Sequence, residues 1–334
     1  MKKFLKFLIF IYFFLILLCY IFKILWLQKD AIAYFYEEPK NSLDIIYIGG
    51  SNVGAHFNPS LAYYNYGFTT GLLTSGLQPF TSTKYLIKEA QKYQNPQLYI
   101  IDLASAVDDF EYGFQDQWCR SVVDYMKFSK NRIDTINAIL SYANVPKEKY
   151  IEYYFSFLMY HNSWKEIEST KFTGVGIIKG YWYYEQLLDS KNPFKEYKWP
   201  SDVNEIEPKN KEVLIDLIKY INENELNVLF VIPNRQFFDN NYGEFNYITN
   251  IIEENGYNVI NFNLLNDLNI DSEHDYHDYM HLNILGATKY TLYFSKYLKE
   301  HYNLPDHRND NRYKSWEEAY YIFEKNLKEF LDNK

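Results

Sequence analysis

The sequence predicts a three-layer α/β domain built on a mostly parallel sheet, and three observations carry that expectation. Short apolar runs bounded by turn residues recur along the chain, as buried parallel strands do. Segments with helical apolar spacing lie between them, so strand and helix alternate. The 334 residues are 47% hydrophobic and 23% charged. That balance suits one large domain, or one domain with an insertion, and excludes wholesale disorder or a multi-span membrane protein.

The first element is apolar. Phe4 to Leu27 is broken only by Lys6 and Lys23, and at roughly 1.5 Å per residue it reaches about 36 Å, enough to cross a bilayer core of about 30 Å. Lys2, Lys3 and Lys6 precede the run, so the positive-inside rule keeps the N-terminus cytoplasmic and puts the body outside. Lys23 sits near the outer end, where its stem can snorkel. A cleaved signal peptide is the competing reading, because Ala31-Ile32-Ala33 has the small-x-small form. The run is longer than a signal's apolar region, which favours an uncleaved anchor over residues 1–30.

The next elements follow in order. Asp44 to Ile48 reads as a buried strand ending in Gly49-Gly50. Pro79 opens a helix through Leu86, Ile87, Ala90 and Tyr93 that stops before Pro96. Leu98 to Leu103 is a second strand. Val213, Leu214, Leu217, Ile218 and Ile221 keep helical spacing, and Val228 to Ile232 is a third strand closed by Pro233. A helix over about 243–254 with Gly256 at its end precedes a fourth strand, Tyr257 to Phe262. Ala287, Tyr290, Thr291, Phe294, Tyr297 and Leu298 mark a strongly amphipathic helix. The α/β domain is expected over 31–304, with a helical insertion at about 104–225 over the sheet's carboxyl edge. A helical tail covers 305–334. Gly174 and Gly176 lack the third glycine of a dinucleotide loop.

Charge and composition narrow the function. The net charge is -9, and because residues 1–30 carry +4 the remainder carries -13, which argues against broad nucleic-acid binding. Aromatics reach 20%, with 35 Tyr and 25 Phe. A sugar-stacking surface is one reading, but Lys, Asn and Ile are abundant too, so A/T-rich codon bias is the better account. Cys19 and Cys119 are the two cysteines, too few for an intradomain disulfide outside the apolar segment or for a cysteine zinc site.

Two short segments carry chemistry. Ile48-Gly49-Gly50-Ser51-Asn52-Val53-Gly54 places a serine on a tight turn after the first strand, where backbone N–H groups can approach a reacting oxygen. It narrowly misses the G-x-S-x-G elbow, because Val53 stands where the last glycine belongs. An ordinary tight turn or a helix start is the alternative. The second segment runs from His274 to Asn283, before the amphipathic helix. Asp278 and His281 are three apart, so one turn of chain can bring them together. The carboxylate then fixes the imidazole tautomer and leaves Nε2 free to take a proton from Ser51. A metal cluster of His274, His277 and His281 with the two aspartates is a rival, as are a solvated loop and an Asx helix cap.

Together these segments resemble the SGNH (GDSL-like) hydrolases, in a membrane-anchored extracytoplasmic bacterial branch similar to teichoic-acid D-alanine transfer proteins and polysaccharide O-acetyltransferases. The resemblance covers about residues 43–103 and 226–300. It implies a flavodoxin-like sheet, Ser51 as nucleophile, His281 as base and Asp278 as its orienting group, with no cofactor and no metal. It also implies an oxyanion hole from the Ser51 N–H, a glycine and an asparagine. Gly76, in Ser75-Gly76-Leu77-Gln78, is the best match for the glycine, with Gly71 second. The family's G-x-N-D string is missing. In Tyr160-His161-Asn162-Ser163-Trp164, Asn162 is the candidate third donor and His161 a candidate pocket residue, as is Asn52 beside the nucleophile. A structural loop is the alternative for that stretch. The implied activity is an ester hydrolase or O-acyltransferase acting on a cell-envelope polysaccharide or teichoic acid, with a membrane-bound acyltransferase as candidate partner. A non-catalytic scaffold or acceptor that keeps the fold is the other class.

Overall fold

The apolar runs read from the sequence pair into one sheet. In this computed structural model, which describes residues 2–25, 31–107, 115–156, 177–186, 199–236 and 241–332, the strands are β1 (Ile45–Gly49), β2 (Thr70–Thr74), β3 (Leu98–Asp102), β4 (Ile177–Ile178), β5 (Tyr181–Trp182), β6 (Val228–Ile232) and β7 (Asn258–Asn261). Five of them form an all-parallel sheet in the order β2-β1-β3-β6-β7, while β4 and β5 make a small antiparallel hairpin. That order is the doubly wound, flavodoxin-like arrangement, whose switch point lies between β1 and β3.

Side chains alternate across the sheet and feed two separate cores. Ile46, Ile48, Tyr99, Ile101, Val228 and Phe230 point to one face. Ile45, Tyr47, Leu98, Ile100, Leu229 and Val231 point to the other. Helices cover both faces, which is why β1, β2, β3 and β6 are buried throughout.

The helices are α1 (Lys2–Leu25), α2 (Ala31–Phe35), α3 (Ser51–His56), α4 (Pro59–Tyr66), α5 (Thr83–Gln91), α6 (Asp116–Val123), α7 (Lys130–Tyr142), α8 (Tyr150–Tyr154), α9 (Pro208–Glu223), α10 (Tyr242–Glu254), α11 (Ile284–His301) and α12 (Lys314–Asp332). Apolar residues of α5, α7, α9 and α10 build the first core, and those of α3, α4, α11 and α12 build the second.

Several expectations change in detail. Strand β2 is one that sequence reasoning missed, and it carries Gly71 in its middle, paired with Ile46. A Cβ on Gly71 would meet Leu43 at 2.5 Å. That glycine therefore serves close packing within the sheet and not the strand end where a reacting group would sit. Within the stretch read as an insertion, α9 is the crossover helix leading into β6. Helices α6, α7 and α8 are fastened by the buried Arg132 guanidinium, which donates to the carbonyls of Val123 at 2.7 Å and Tyr153 at 2.9 Å. Helix α12 packs on the body through the buried Trp316 and Phe323, and ahead of it His307 reaches Asp44 at 3.1 Å.

The expected membrane span is not found as a complete crossing. Helix α1 has exposed apolar side chains from Phe4 to Leu17, yet among the described residues no helix is long and apolar enough to cross a membrane.

Gly49 marks the tightest approach beneath the β1 exit. A Cβ there would lie 2.4 Å from the Asp102 Cβ and 2.7 Å from Val53. Gly49→Ala should therefore destabilise the fold by about 1–3 kcal/mol, the usual range for overpacking. Denaturant melts of the two chains measure it, and an unchanged midpoint would contradict the packing.

Candidate functional site

The site grows from the end of β1. Gly50 is extended (φ -71°, ψ -162°) and turns the chain directly into α3, so Ser51 opens the helix at the sheet's carboxyl edge. The Val53 N–H donates to the Gly50 carbonyl at 3.0 Å, and the Thr74 hydroxyl donates to the same oxygen. The turn is thereby tied to the end of β2. Since Gly49 pairs with Thr74, Ser75 and Gly76 leave the sheet at the same edge as Ser51. The Gly76 carbonyl accepts from the Ser121 hydroxyl of α6 at 3.1 Å.

The other half arrives before α11. Asn283 caps that helix, its Oδ1 accepting from the N–H groups of Leu285 and Gly286 at 2.9 and 3.2 Å. Its Nδ2 donates to the carbonyls of His274 and Tyr276. The Asx-cap alternative holds for Asn283, two residues beyond the dyad. Asp275 is buried and paired with Lys289 at 2.6 Å, and its carbonyl lies 2.2 Å from where a Cβ on Gly286 would be. The loop is pressed against the first turn of α11.

Within the loop, Asp278 and His281 close a tight turn. The Asp278 Oδ1 accepts from the N–H groups of Met280 and His281, both at 2.8 Å. The His281 Nδ1 lies 2.8 Å from Asp278 Oδ2. An ionised carboxylate only accepts, so Nδ1 carries the proton and Nε2 is the acceptor. That Nε2 is 2.7 Å from the Ser51 hydroxyl. The three groups picked out by spacing thus stand in a hydrogen-bonded line. Burial pushes the Asp278 carboxyl up, but the His281 hydrogen bond and charge, with the two backbone N–H groups, hold it well below the usual carboxylate range.

The remaining candidates divide. Asn52 is buried and committed to protein partners: Nδ2 donates to the Met280 carbonyl at 2.6 Å, and Oδ1 accepts from the Arg235 Nε at 3.0 Å. That makes it a group supporting the loop, not one lining a pocket. His161 and Asn162 lie outside the described residues. The three histidines of the metal alternative go separate ways. His274 pairs with Asp271 at 2.9 Å, His277 stacks on Tyr184 with ring centroids 4.2 Å apart, and His281 meets Ser51. Among the described residues, no three His, Cys, Asp or Glu groups converge as a metal site would need.

Sequence reasoning missed four contributors. His56, one helical turn after Asn52, places its Nε2 3.1 Å from the same Met280 carbonyl. Burial first, then the electrostatic influence of His281 and Arg235 nearby, holds the His56 imidazole well below its ordinary value. Arg235 follows Pro233 at the end of β6. Tyr184, after the β4–β5 hairpin, donates no signal in sequence, yet its carbonyl accepts from the Ile284 N–H at 2.9 Å and its ring lies 5.8 Å from that of His281. Trp182 packs on α3, where a Cβ on Gly54 would meet its ring at 2.9 Å. The Asn52-x-x-x-His56 spacing was the legible hint, since residues four apart share a helix face.

Asp278 gives a pH test with a definite sign. Its folded-state ionisation lies below the unfolded value of about 3.9, so it stabilises the fold above that pH, and the contribution drains away as pH falls through the folded value. The stability difference between wild type and Asp278→Asn should shrink on acidification below about pH 4. Denaturant midpoints across that range measure it, and a difference that grows in acid would contradict the depressed carboxyl. Compared with known proteins, the chain matches no family model and no curated protein.

Proposed function

We propose that this protein is an extracytoplasmic serine esterase or O-acyltransferase acting on acyl esters of a cell-envelope glycopolymer, in the manner of the SGNH hydrolases. The observation that carries the reading is the 2.7 Å contact between the Ser51 hydroxyl and the His281 imidazole, with Asp278 behind it. A hydroxyl is a weak nucleophile by itself, and an adjacent oriented base is what activates it.

In this reaction the Ser51 Oγ attacks the ester carbonyl carbon as His281 Nε2 takes its proton. Asp278, ionised throughout, stabilises the imidazolium. The negative oxygen is received by the N–H groups of Ser51 and Gly76. Collapse breaks the ester bond, and the departing alcohol takes the proton from His281. Water, or a hydroxyl of a polysaccharide or teichoic acid, then attacks acyl-Ser51, delivers its proton to His281, and the proton returns to the released Oγ. Attack by water makes the protein an esterase; attack by a polymer hydroxyl makes it a transferase supplied by a membrane-bound acyl donor system.

The exposed apolar side chains of α1 support a membrane anchor ahead of the body. Ala31 and Ile32 are fully buried in the domain, which favours retention of this segment over cleavage at Ala31-Ile32-Ala33.

The full chain in detergent should form a covalent adduct at Ser51 with a fluorophosphonate probe, located by peptide mass spectrometry. Ser51→Ala should abolish it, and His281→Ala should slow it by about 10²–10⁴-fold, the typical contribution of a general base. Labelling that persists in Ser51→Ala would overturn the assignment, and a wild type inert toward the probe would favour the scaffold class. Asn162→Ala tests the third donor: its loss should lower kcat by about 10²–10³-fold, and an unchanged kcat would remove it from the oxyanion hole.

A further inference from the structure

Two side chains of the nucleophile's own helix reach across to the base's loop and meet at one backbone oxygen. Asn52 Nδ2 lies 2.6 Å from the Met280 carbonyl and His56 Nε2 lies 3.1 Å from it. The two nitrogens are 3.4 Å apart, the spacing of two donors sharing one acceptor. Met280 is the residue before His281, and the His281 N–H of the same peptide is already held by Asp278. The peptide that carries the base is therefore gripped from both sides.

The orientation of the Asn52 amide follows from its partners. Arg235 offers only donors, so the atom it touches must be Oδ1. The Met280 carbonyl only accepts, so the atom it touches must be Nδ2. Arg235, leaving the end of β6, thus sets the amide that holds the His281 loop. Both Asn52 and His56 are about 1% exposed, so the Met280 carbonyl is held from within the protein, while the His56 Nδ1 meets no hydrogen-bond partner among the described residues.

From this arrangement we infer that Asn52 and His56 are positioning residues for His281, clamping the Met280 carbonyl so that Nε2 meets the Ser51 hydroxyl, with Arg235 fixing the Asn52 amide. The inference rests on the acyl-transfer reading above and adds to it the groups that set the distance between nucleophile and base. Neither side chain touches the reacting atoms; both act through the loop. Because Ser51, Asn52 and His56 share α3, any shift of that helix carries nucleophile and clamp together, and the base follows.

The test uses the full chain with p-nitrophenyl acetate and the fluorophosphonate probe. Asn52→Asp keeps the size and the acceptor for Arg235 but offers no donor to Met280, so it removes the Asn52 half of the clamp with little change in packing. It should lower kcat by about 10- to 100-fold, the scale expected when a catalytic group is misplaced by about an ångström, with KM moving less than about twofold. His56→Ala should do the same, and His56→Gln, whose amide can donate to the carbonyl, should recover most of the loss. In a His281→Ala background Asn52→Asp should cost nothing further, because the group it positions is gone; a merely structural role would still lower the residual rate. Wild-type kcat in Asn52→Asp, or an undiminished loss in the His281→Ala background, would overturn the inference alone. A wild type inert toward both reagents would overturn the acyl-transfer reading and this inference with it.

Discussion

The hydrogen bond between Ser51 and His281 joins residues 230 positions apart, and it is the parallel sheet that brings them together. In a parallel sheet every strand ends at the same edge, so the segments that follow different strands arrive there together whatever their distance in sequence. Ser51 follows β1, Ser75 and Gly76 follow β2, Asp102 closes β3 and Arg235 lies just beyond β6. The loop carrying Asp278 and His281 follows β7 after two short 3-10 turns. Ser51 lies beside the strand-order switch between β1 and β3, the place where doubly wound sheets open a crevice for ligands.

Each half of the site also has supports of its own. On one side the Gly50 carbonyl accepts from both Val53 and Thr74, which ties the turn to its own helix and to the neighbouring strand. On the other side Asp278 binds two N–H groups of its own turn while also orienting the ring. Asn283 caps α11, and Lys289 from that helix neutralises the buried Asp275. A side chain at a reacting centre is useful only when its rotamer and backbone are both fixed, because small misplacements cost large factors in rate. Here the fixing is done by hydrogen bonds to backbone atoms, and the ring is left with a single free acceptor.

The same fact explains what the sequence could and could not announce. Strands β1, β3 and β6 are legible because they are continuous apolar runs buried on both faces. Strand β2 reads Thr-Gly-Leu-Leu-Thr, with only two apolar residues, and is buried because α2 and α4 happen to lie over it. No local pattern encodes that cover. Ser51, Asp278 and His281 are legible because their chemistry depends on side-chain type and on a spacing of three. The clamp is not, because its acceptor is the Met280 carbonyl, and every residue has one. Nor is Gly71 separable from Gly76 by composition: one is pinned beneath Leu43 in mid-strand, and the other follows the strand end.

The near-miss of the nucleophile elbow has a physical explanation in the same terms. The G-x-S-x-G pattern uses small residues to let the turn, the strand and the following helix approach closely. At the last position this chain has Val53, whose bulk is accepted because Gly49 makes the room: a Cβ on Gly49 would stand 2.7 Å from Val53. Val53 is then fully buried and contributes to the core beneath the turn. The remaining glycine has moved on by one, to Gly54, where it faces Trp182 from the hairpin and the Thr74 methyl at 3.2 Å. The spacing changed because the neighbour changed. A bulky indole packed over α3 demands its glycine at a different point of the helix than a bare strand would, and the turn that presents Ser51 is preserved by redistributing where the backbone has no side chain.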